Sequence, residues 1–262
     1  MLVIISCQKE ETDAIPAYLE IKEISLQDTT ITQNITDAWV YINDQLQGVY
    51  ELPAKFPVLE EDVQSVRIKA GIKANGIASS RIAYPFYTSY FEDITLSPNK
   101  TINITPVVEF NREEEDIFIE DFEGVGVNLE TTTISDTSLL ELVDGDNNYG
   151  VGVLNDSLFT FEIATDELTD LPQAGAPVIL ELDYKSNTQF LVGVYINYPQ
   201  SVVQKDILWI TPKEDWNKIY VNLTTTISEG INATSFKVFV GMRRDFSDSL
   251  NYIHFDNLKV VY

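Results

Sequence analysis

Hydrophobic and polar residues alternate with a period of two along most of the chain. Residues 17–22 alternate cleanly as Ala-Tyr-Leu-Glu-Ile-Lys, and residues 65–70 and 101–110 read as further strands. Such alternation, in segments rich in Val, Ile, Thr, Tyr and Phe, is typical of β-strands with one buried face. The sequence shows no helical pattern of about 10–15 residues between these segments, so parallel βαβ units are not expected. The pattern therefore predicts an all-β protein with antiparallel sheets.

A hairpin is predicted early in this pattern. Residues 39–42 (Trp-Val-Tyr-Ile) form an apolar strand, residues 43–48 are rich in turn-forming types, and residues 49–53 resume the strand pattern. This short segment resembles the PEGA-like modules of surface proteins. The region 14–110 is therefore expected to form a small antiparallel β-sandwich of PEGA-like or Ig-like type.

A run of charged residues divides the chain. Residues 111–116 read Asn-Arg-Glu-Glu-Glu-Asp, which is typical of a solvated linker. Residues 14–112 carry 8 basic and 12 acidic side chains, whereas residues 113–262 carry 8 basic and 26 acidic ones. The predicted segments are a tether over 1–13, an N-terminal β-sandwich over 14–110, an acidic linker over 111–117 and a second domain over 118–262.

The second domain carries three sequence features in a characteristic order. It opens with Asp-Phe-Glu-Gly at 121–124, contains a Trp-x-Lys-x-Tyr strand at 216–220 and closes with Asp-Asn-Leu-Lys-Val at 256–260. Together these features resemble the galactose-binding-like jelly roll of carbohydrate-binding modules. The resemblance implies a jelly-roll β-sandwich, but this fold also serves structural and interaction roles, so it does not identify the ligand.

Composition narrows the possible function classes. Hydrophobic residues make up 44% of the 262 residues, which is enough to form a core. The chain has 17 Lys and Arg against 41 Asp and Glu, and its net charge of −24 argues against a nucleic-acid binder, because no basic surface is available to displace counterions from phosphates. A single Cys excludes an internal disulfide, and a single His argues against a His-rich zinc site.

The first residues resemble a bacterial lipoprotein signal. An apolar run over residues 1–5 precedes the chain's only cysteine, Cys7, which the lipobox resemblance marks as the acylated residue. The run is short and lacks a basic residue, so we expect that the true signal begins before Met1 or was shortened. The Gln-Lys-Glu-Glu run at 8–11 resembles the export signal of Bacteroidota surface lipoproteins. This implies a lipid anchor in the outer membrane and exposure at the cell surface, with a periplasmic-facing anchor as the alternative.

Catalysis has little support in the residues. A Ser-His-Asp triad would need His254, which lies between the apolar Ile253 and Phe255 on a predicted strand, and the sequence contains no Gly-x-Ser-x-Gly turn. Carboxylates are so abundant that a pair of them does not indicate a glycosidase. We therefore predict a protein that is not an enzyme.

One face of the second domain is predicted to bind a ligand. In three segments, 178–186, 207–211 and 236–242, alternate residues are apolar and the residues between them are polar or aromatic. In a fourth segment, 190–198, the alternation is ambiguous, and Tyr195 and Asn197 face outward if Val192, Val194 and Ile196 are buried. The resemblance implies that these strands share the concave sheet. The outward residues that would form one ligand-binding face are Asp183, Tyr195, Asn197, Trp209, Phe239 and Arg243. Aromatic rings stack on sugar rings and polar groups bind hydroxyls, so this face predicts carbohydrate binding. The alternative is that Trp209 and Phe239 are covered by loops or by the first domain.

The jelly-roll resemblance also implies one structural Ca²⁺ between the opening and closing strands. Glu123 and Asp256 match the positions of its ligands, and the oxygen-rich turn at 144–148 could add to them. The alternative is an Asx-rich turn that binds no ion.

The leading hypothesis is a non-catalytic cell-surface lipoprotein that binds polysaccharide or another surface ligand through its jelly roll. The alternative is a structural or accessory subunit of an outer-membrane protein complex for secretion, gliding or nutrient uptake. The sequence leaves the ligand, the oligomeric state and the role of the first domain open.

Overall fold

A computed structural model describes residues 15–145 and 147–262. The regular structure of these residues is almost entirely β, with one 3-10 turn and one short helix, which confirms the all-β prediction. None of the helical segments in these residues has the length and apolar character needed to cross a membrane. The predicted tether over 1–13, with Cys7, lies outside the described residues.

The first half of the chain forms an antiparallel-rich β-sandwich. Its strands are β1 (Ala17–Ile21), β2 (Ser25–Leu26), β3 (Asp37–Ile42), β4 (Gln45–Glu51), β5 (Ala54–Val58), β6 (Asp62–Lys73), β7 (Arg81–Ala83), β8 (Ser89–Leu96), β9 (Thr101–Ile104) and β10 (Val107–Val108). One sheet has the order β5-β1-β9, and the other has the order β4-β3-β6-β7 with β8 beside β6; β10 and β2 form a separate pair. Inward residues of both sheets, such as Leu19 and Val40, belong to one hydrophobic core.

β3 and β4 form the predicted hairpin, but its turn is shorter than expected. Only Asn43 and Asp44 separate the strands, and both have positive φ angles, 46° and 63°. A two-residue turn with two positive φ angles matches the twist of the flanking strands, and Asn and Asp tolerate this conformation. The expected turn over 43–48 is therefore wrong in length, because residues 45, 46 and 48 already pair with β3.

The second half contains two antiparallel sheets and has the layout of a jelly roll. Its elements are a 3-10 turn (Glu114–Asp116), β11 (Ile117–Glu120), β12 (Leu129–Thr131), β13 (Leu140–Asp144), β14 (Asn147–Leu154), β15 (Thr160–Thr165), β16 (Ile179–Ser186), β17 (Phe190–Tyr198), β18 (Ser201–Ile210), β19 (Lys213–Asn222), α1 (Thr224–Glu229), β20 (Ser235–Arg243) and β21 (Asn251–Val261). The seam sheet has the order β13-β14-β21-β16-β19, with β11 also beside β21. The groove sheet has the order β12-β15-β20-β17-β18.

The two sheets of the second half pack face to face. Alternate residues of β16, such as Leu180 and Leu182, meet alternate residues of β17, such as Val192 and Val194, in one buried core. Each fully buried aliphatic side chain of this kind stabilises the fold by about 1.5–3 kcal/mol relative to an exposed one. In the described residues no sheet combines strands from before and after residue 111, and the predicted domain boundaries stay a prediction.

Part of the outer face of the seam sheet packs against the first half. Ile179, Tyr220 and Val261 point away from the jelly-roll core and belong to the hydrophobic core of the first half. Asn75 reinforces this contact, since its backbone N–H donates to the Tyr220 carbonyl at 2.7 Å and its side-chain oxygen accepts from Asn222 N–H at 2.8 Å. We call this junction of the two halves the seam.

A buried ion pair lies within the seam. Lys218 Nζ is 2.8 Å from Glu181 Oε2 and 3.8 Å from Asp183 Oδ1, and all three residues are buried. From the first half, the Tyr84 hydroxyl donates to Glu181, and Thr32 donates to Asp183 at 2.6 Å. Burial, followed by the Glu181 charge, raises the pKa of Tyr84, which keeps its hydroxyl a donor. Both halves therefore contribute to compensating the buried charges.

Lys218→Met should lower the free energy of unfolding by about 3–5 kcal/mol, because it leaves Glu181 buried without its counter-charge. Urea denaturation of the purified chain measures this loss. The control is Lys205→Met, which removes an exposed ammonium 3.9 Å from Glu229 and should cost at most about 1 kcal/mol. Similar losses in the two variants would contradict a central role for the buried pair.

Candidate ligand-binding groove

The outer face of the groove sheet is open to solvent. In β17, Val192 faces the core, and Tyr195 and Asn197 therefore point outward. β18 pairs with β17 so that Trp209 lies opposite Leu191 on the same outward face. Trp209 is 46% exposed, so almost half of its surface is open to solvent.

Three adjoining cavities turn this face into a groove. The first, of about 580 Å³, lies beside Tyr195, and the second, of about 290 Å³, lies beside Trp209. Ile134 and Gln204 line both of them. The third, of about 400 Å³, shares Trp209 and Arg243 with the second. We refer to the three cavities together as the groove.

The floor of the groove is built from an aromatic pair and a glycine. Phe239 points to the outer face of the sheet, as the alternation predicts, but it is completely buried. The Tyr195 ring packs on it, with the two ring centroids 4.8 Å apart. A Cβ at Gly193 would lie 2.2 Å from the Phe239 ring, so only glycine fits there without rearrangement. The prediction that Phe239 contacts the ligand is therefore wrong, since Tyr195 lies between this ring and the groove.

A buried carboxylate, Glu162, positions the Tyr195 side chain. The Tyr195 hydroxyl donates to Glu162 Oε1 at 2.7 Å, and the Thr132 hydroxyl donates to the same oxygen at 2.8 Å. Burial, followed by the bond to Glu162, raises the pKa of Tyr195, which keeps the phenol protonated. Glu162 was not among the predicted site residues, although its position between the apolar Phe161 and Ile163 in β15 indicates an outward side chain.

Polar side chains lie at both ends of the groove. Arg243 is exposed in the wall shared by the second and third cavities. At the other end, the Asn197 amide donates to the Ser235 hydroxyl at 2.9 Å, and that hydroxyl donates to Glu167 at 2.9 Å. The groove thus combines aromatic surface with fixed hydrogen-bonding groups, which is the chemistry that sugar rings require.

Asp183 does not belong to the groove. Its strand, β16, pairs with β19 and β21 in the seam sheet, so the prediction that all four strands share one sheet is wrong for β16. The side chain points away from the jelly-roll core, as the alternation predicts, but the first half covers this face and Asp183 is only 7% exposed. Alternation specifies the two faces of a strand and leaves its partner strands undetermined.

The two candidate calcium ligands are hydrogen-bonded to asparagines. Glu123 accepts from the Asn148 backbone N–H at 2.6 Å and from its side-chain amide at 3.2 Å, and Asp256 accepts from the Asn147 amide at 3.1 Å. Among residues 15–145 and 147–262, no group of three or more His, Cys, Asp or Glu side chains is arranged to hold a metal ion. Both carboxylates accept hydrogen bonds from N–H groups, and Ca²⁺ binding stays a prediction.

Comparison with known proteins gives structural similarity alone. No family model matches the chain, and no curated protein matches its sequence. One similar structure is the Clostridium thermocellum xylanase 10B fragment with CBM22-1 and GH10 modules and bound xylohexaose: 13% identity over 55% of this chain and 28% of that one, TM-score 0.40. A second is the family 11 carbohydrate-binding module from Clostridium thermocellum with a β-1,3-1,4-mixed-linked tetrasaccharide. It is 14% identical over 56% of this chain and 94% of that one, with a TM-score of 0.40. A third comes from the carbohydrate-binding modules of the β-sandwich superfamily. It is 9% identical over 87% of this chain and 85% of that one, with a TM-score of 0.37.

Gly193→Ala should destabilise the chain by about 1–3 kcal/mol, because the added methyl group would overpack the Phe239 ring. Thermal unfolding followed by circular dichroism measures the change. Gly124→Ala is the matched control, since a Cβ there meets nothing within 4 Å, and it should change stability by less than about 1 kcal/mol. Unaltered stability in the Gly193 variant would contradict the tight floor described above.

Proposed function

We propose that this protein is a non-catalytic carbohydrate-binding protein that holds a glycan chain in the groove. The observation that carries the proposal is the exposed Trp209 ring, which stands between two cavities. A large aromatic side chain left open to water on a strand contributes little to packing, and its flat face suits the apolar face of a pyranose ring. Tyr195 extends this aromatic surface toward the first cavity.

The polar groups of the groove support recognition of hydroxyl groups. Gln204 lies in the wall of the first and second cavities, and Arg243 lies in the wall of the second and third. Amide and guanidinium groups can donate to several hydroxyls along an extended chain. The length of the groove, with three cavities in a row, favours an internal stretch of polymer over a single sugar unit.

The charge of the second half favours a neutral glycan. Residues 113–262 carry 26 acidic and 8 basic side chains. The resulting negative field disfavours the approach of sulfated or uronate-rich polymers. Neutral polysaccharides experience no such repulsion.

The carboxylates of the groove support binding without catalysis. Glu162 accepts hydrogen bonds from Tyr195 and Thr132, and Glu130 forms an ion pair with Lys237. Both carboxylates are therefore engaged by neighbouring side chains of the protein. Glycoside hydrolysis, in contrast, needs one carboxyl group that is free to protonate the leaving oxygen.

The proposal includes attachment to the outer membrane at the cell surface. It rests on the sequence of the first eleven residues, where Cys7 occupies the lipobox position and Lys9, Glu10 and Glu11 follow as the export signal. An acyl anchor with a polar tether would hold the groove outside the cell, where polysaccharides are met.

Trp209→Ala should weaken binding to a neutral polysaccharide by about 1–3 kcal/mol, about five- to 150-fold in Kd, because one large stacking surface is lost. Isothermal titration calorimetry with soluble mixed-linkage β-glucan and with xylan measures the change. The melting temperature should stay nearly the same, since the exposed ring supports no core.

Trp216→Ala is the matched control for this experiment. Trp216 is 41% exposed, but it lies on β19 of the seam sheet, so its removal should leave glycan affinity unchanged. If Trp209→Ala unfolds the chain, the ring is structural and the proposal fails. If the wild-type chain binds none of a panel of neutral glycans, the alternative of an assembly subunit is favoured instead.

Cys7→Ser, made in a gene with a complete signal sequence, should move the protein from the membrane fraction to the soluble fraction, because the serine cannot carry the thioether-linked lipid. Cell fractionation and immunoblotting measure the change. Replacing Lys9, Glu10 and Glu11 by Ala should keep the anchor but remove protease accessibility on intact cells. Membrane association that survives Cys7→Ser would refute the lipid anchor.

A further inference from the structure

A second type of cavity opens at the seam, on the side of the jelly roll away from the groove. Its volume is about 440 Å³, and its wall combines Thr32 and Gln33 of the first half with Asp183, Trp216 and Asp256 of the second. Cavities of this size where two folded units meet are common ligand sites. We call it the seam pocket, and it shares no wall residue with the groove.

An aromatic wall forms one side of the seam pocket. Tyr149 and Trp216 meet edge to face with centroids 5.5 Å apart, and both line the pocket. The face of an aromatic ring attracts cations. Lys185, which is not part of the pocket wall, already places its ammonium group 5.1 Å from the Trp216 ring centroid. Lys185 also lies 5.8 Å from the Tyr149 ring centroid, so both rings of the wall already attract a cation.

Asp183 presents an unsatisfied oxygen beside this wall. Its Oδ2 accepts from Thr32 at 2.6 Å and from the Asn257 amide at 3.0 Å, whereas its Oδ1 is buried and has no hydrogen-bond partner among the described residues. The nearest cation, Lys218, is 3.8 Å from Oδ1 and is held by Glu181 at 2.8 Å. A buried acceptor without a donor is costly, so this atom favours a donor supplied from the pocket.

Negative charge is in excess around the pocket. Asp256 lies directly opposite Asp183 in the β16–β21 register, and both are buried. Burial is the main cause that raises the pKa of Asp256, and the Asp183 charge adds to it. With Glu181, three buried carboxylates are accompanied by the buried Lys218 and the partly buried Lys259. A further positive charge would complete this set.

We propose that the seam pocket binds an organic ammonium ion, specifically the protonated amine of an amino sugar. The amine donates to Asp183 Oδ1 and lies close to the Asp256 carboxylate, while the sugar ring packs against Trp216. The amides of Gln33 and Asn217 in the wall suit the sugar hydroxyls. A cavity of about 440 Å³ with an aromatic side is also larger than a bare metal ion needs.

Isothermal titration calorimetry of the purified protein at neutral pH tests this proposal with three probes: glucosamine, glucose and calcium chloride. Glucosamine should bind at least about tenfold more tightly than glucose, which has the same ring without the charge. Asp183→Asn should weaken glucosamine binding about tenfold or more, because it removes the charge and preserves the shape of the side chain. Trp216→Ala should weaken it to a similar extent.

Two controls keep the outcomes distinct. Trp209→Ala should leave glucosamine binding unchanged, and Trp216→Ala should leave binding of neutral glycans to the groove unchanged, so failure of one proposal does not imply failure of the other. Thermal unfolding of the Asp183 variant shows whether the seam of that variant is intact. If the seam is disrupted, the Trp216→Ala variant provides an independent test, because Trp216 is half-exposed. Equal binding of glucose and glucosamine, loss of glucosamine binding in Trp209→Ala, or binding of calcium alone would overturn the proposal.

Discussion

The arrangement of the two halves depends on the buried ion pair between Lys218 and Glu181. In so acidic a chain, the outer face of the seam sheet would remain in water if its carboxylates had no counter-charge, because desolvating an unpaired charge costs several kcal/mol. Lys218 lies 2.8 Å from Glu181, and Tyr84 donates to the same carboxylate from the first half. This compensation allows Ile179 and its apolar neighbours to be buried at the seam.

Covering the seam sheet leaves the groove sheet as the open face of the jelly roll. The two sheets share a core, but their outer faces have different surroundings. The outer face of the seam sheet contacts the first half, whereas that of the groove sheet contacts solvent. Trp209 and Trp216 are exposed to a similar degree, but the first stands over the open groove and the second stands at the mouth of the seam pocket. Because the first half packs on only one of the two sheets, the second half has two surfaces of different chemistry, an aromatic groove and an acidic pocket.

The side chains of the groove floor are held in place by one another. Gly193 lets the Phe239 ring lie flat on the sheet, Tyr195 packs on that ring, and Glu162 holds the Tyr195 hydroxyl. Side chains that are already ordered lose little entropy when a ligand binds, so more of the contact energy appears as affinity.

The sequence alone was sufficient to predict the all-β class and the outward orientation of Trp209, because alternation along a strand is a local property. For Tyr195 and Asn197 the alternation was ambiguous, and it is the burial of Val192, Val194 and Ile196 in the core that turns them outward. The sequence was not sufficient for Phe239, which has the same outward parity but lies beneath Tyr195, or for Asp183, whose strand joins the other sheet. Strand partners and the cover over a face depend on contacts between distant residues, which no single strand encodes. The sequence therefore determined which way a side chain points where the alternation is clear, whereas only the tertiary structure decided which side chains meet, which stay accessible and which sites they form.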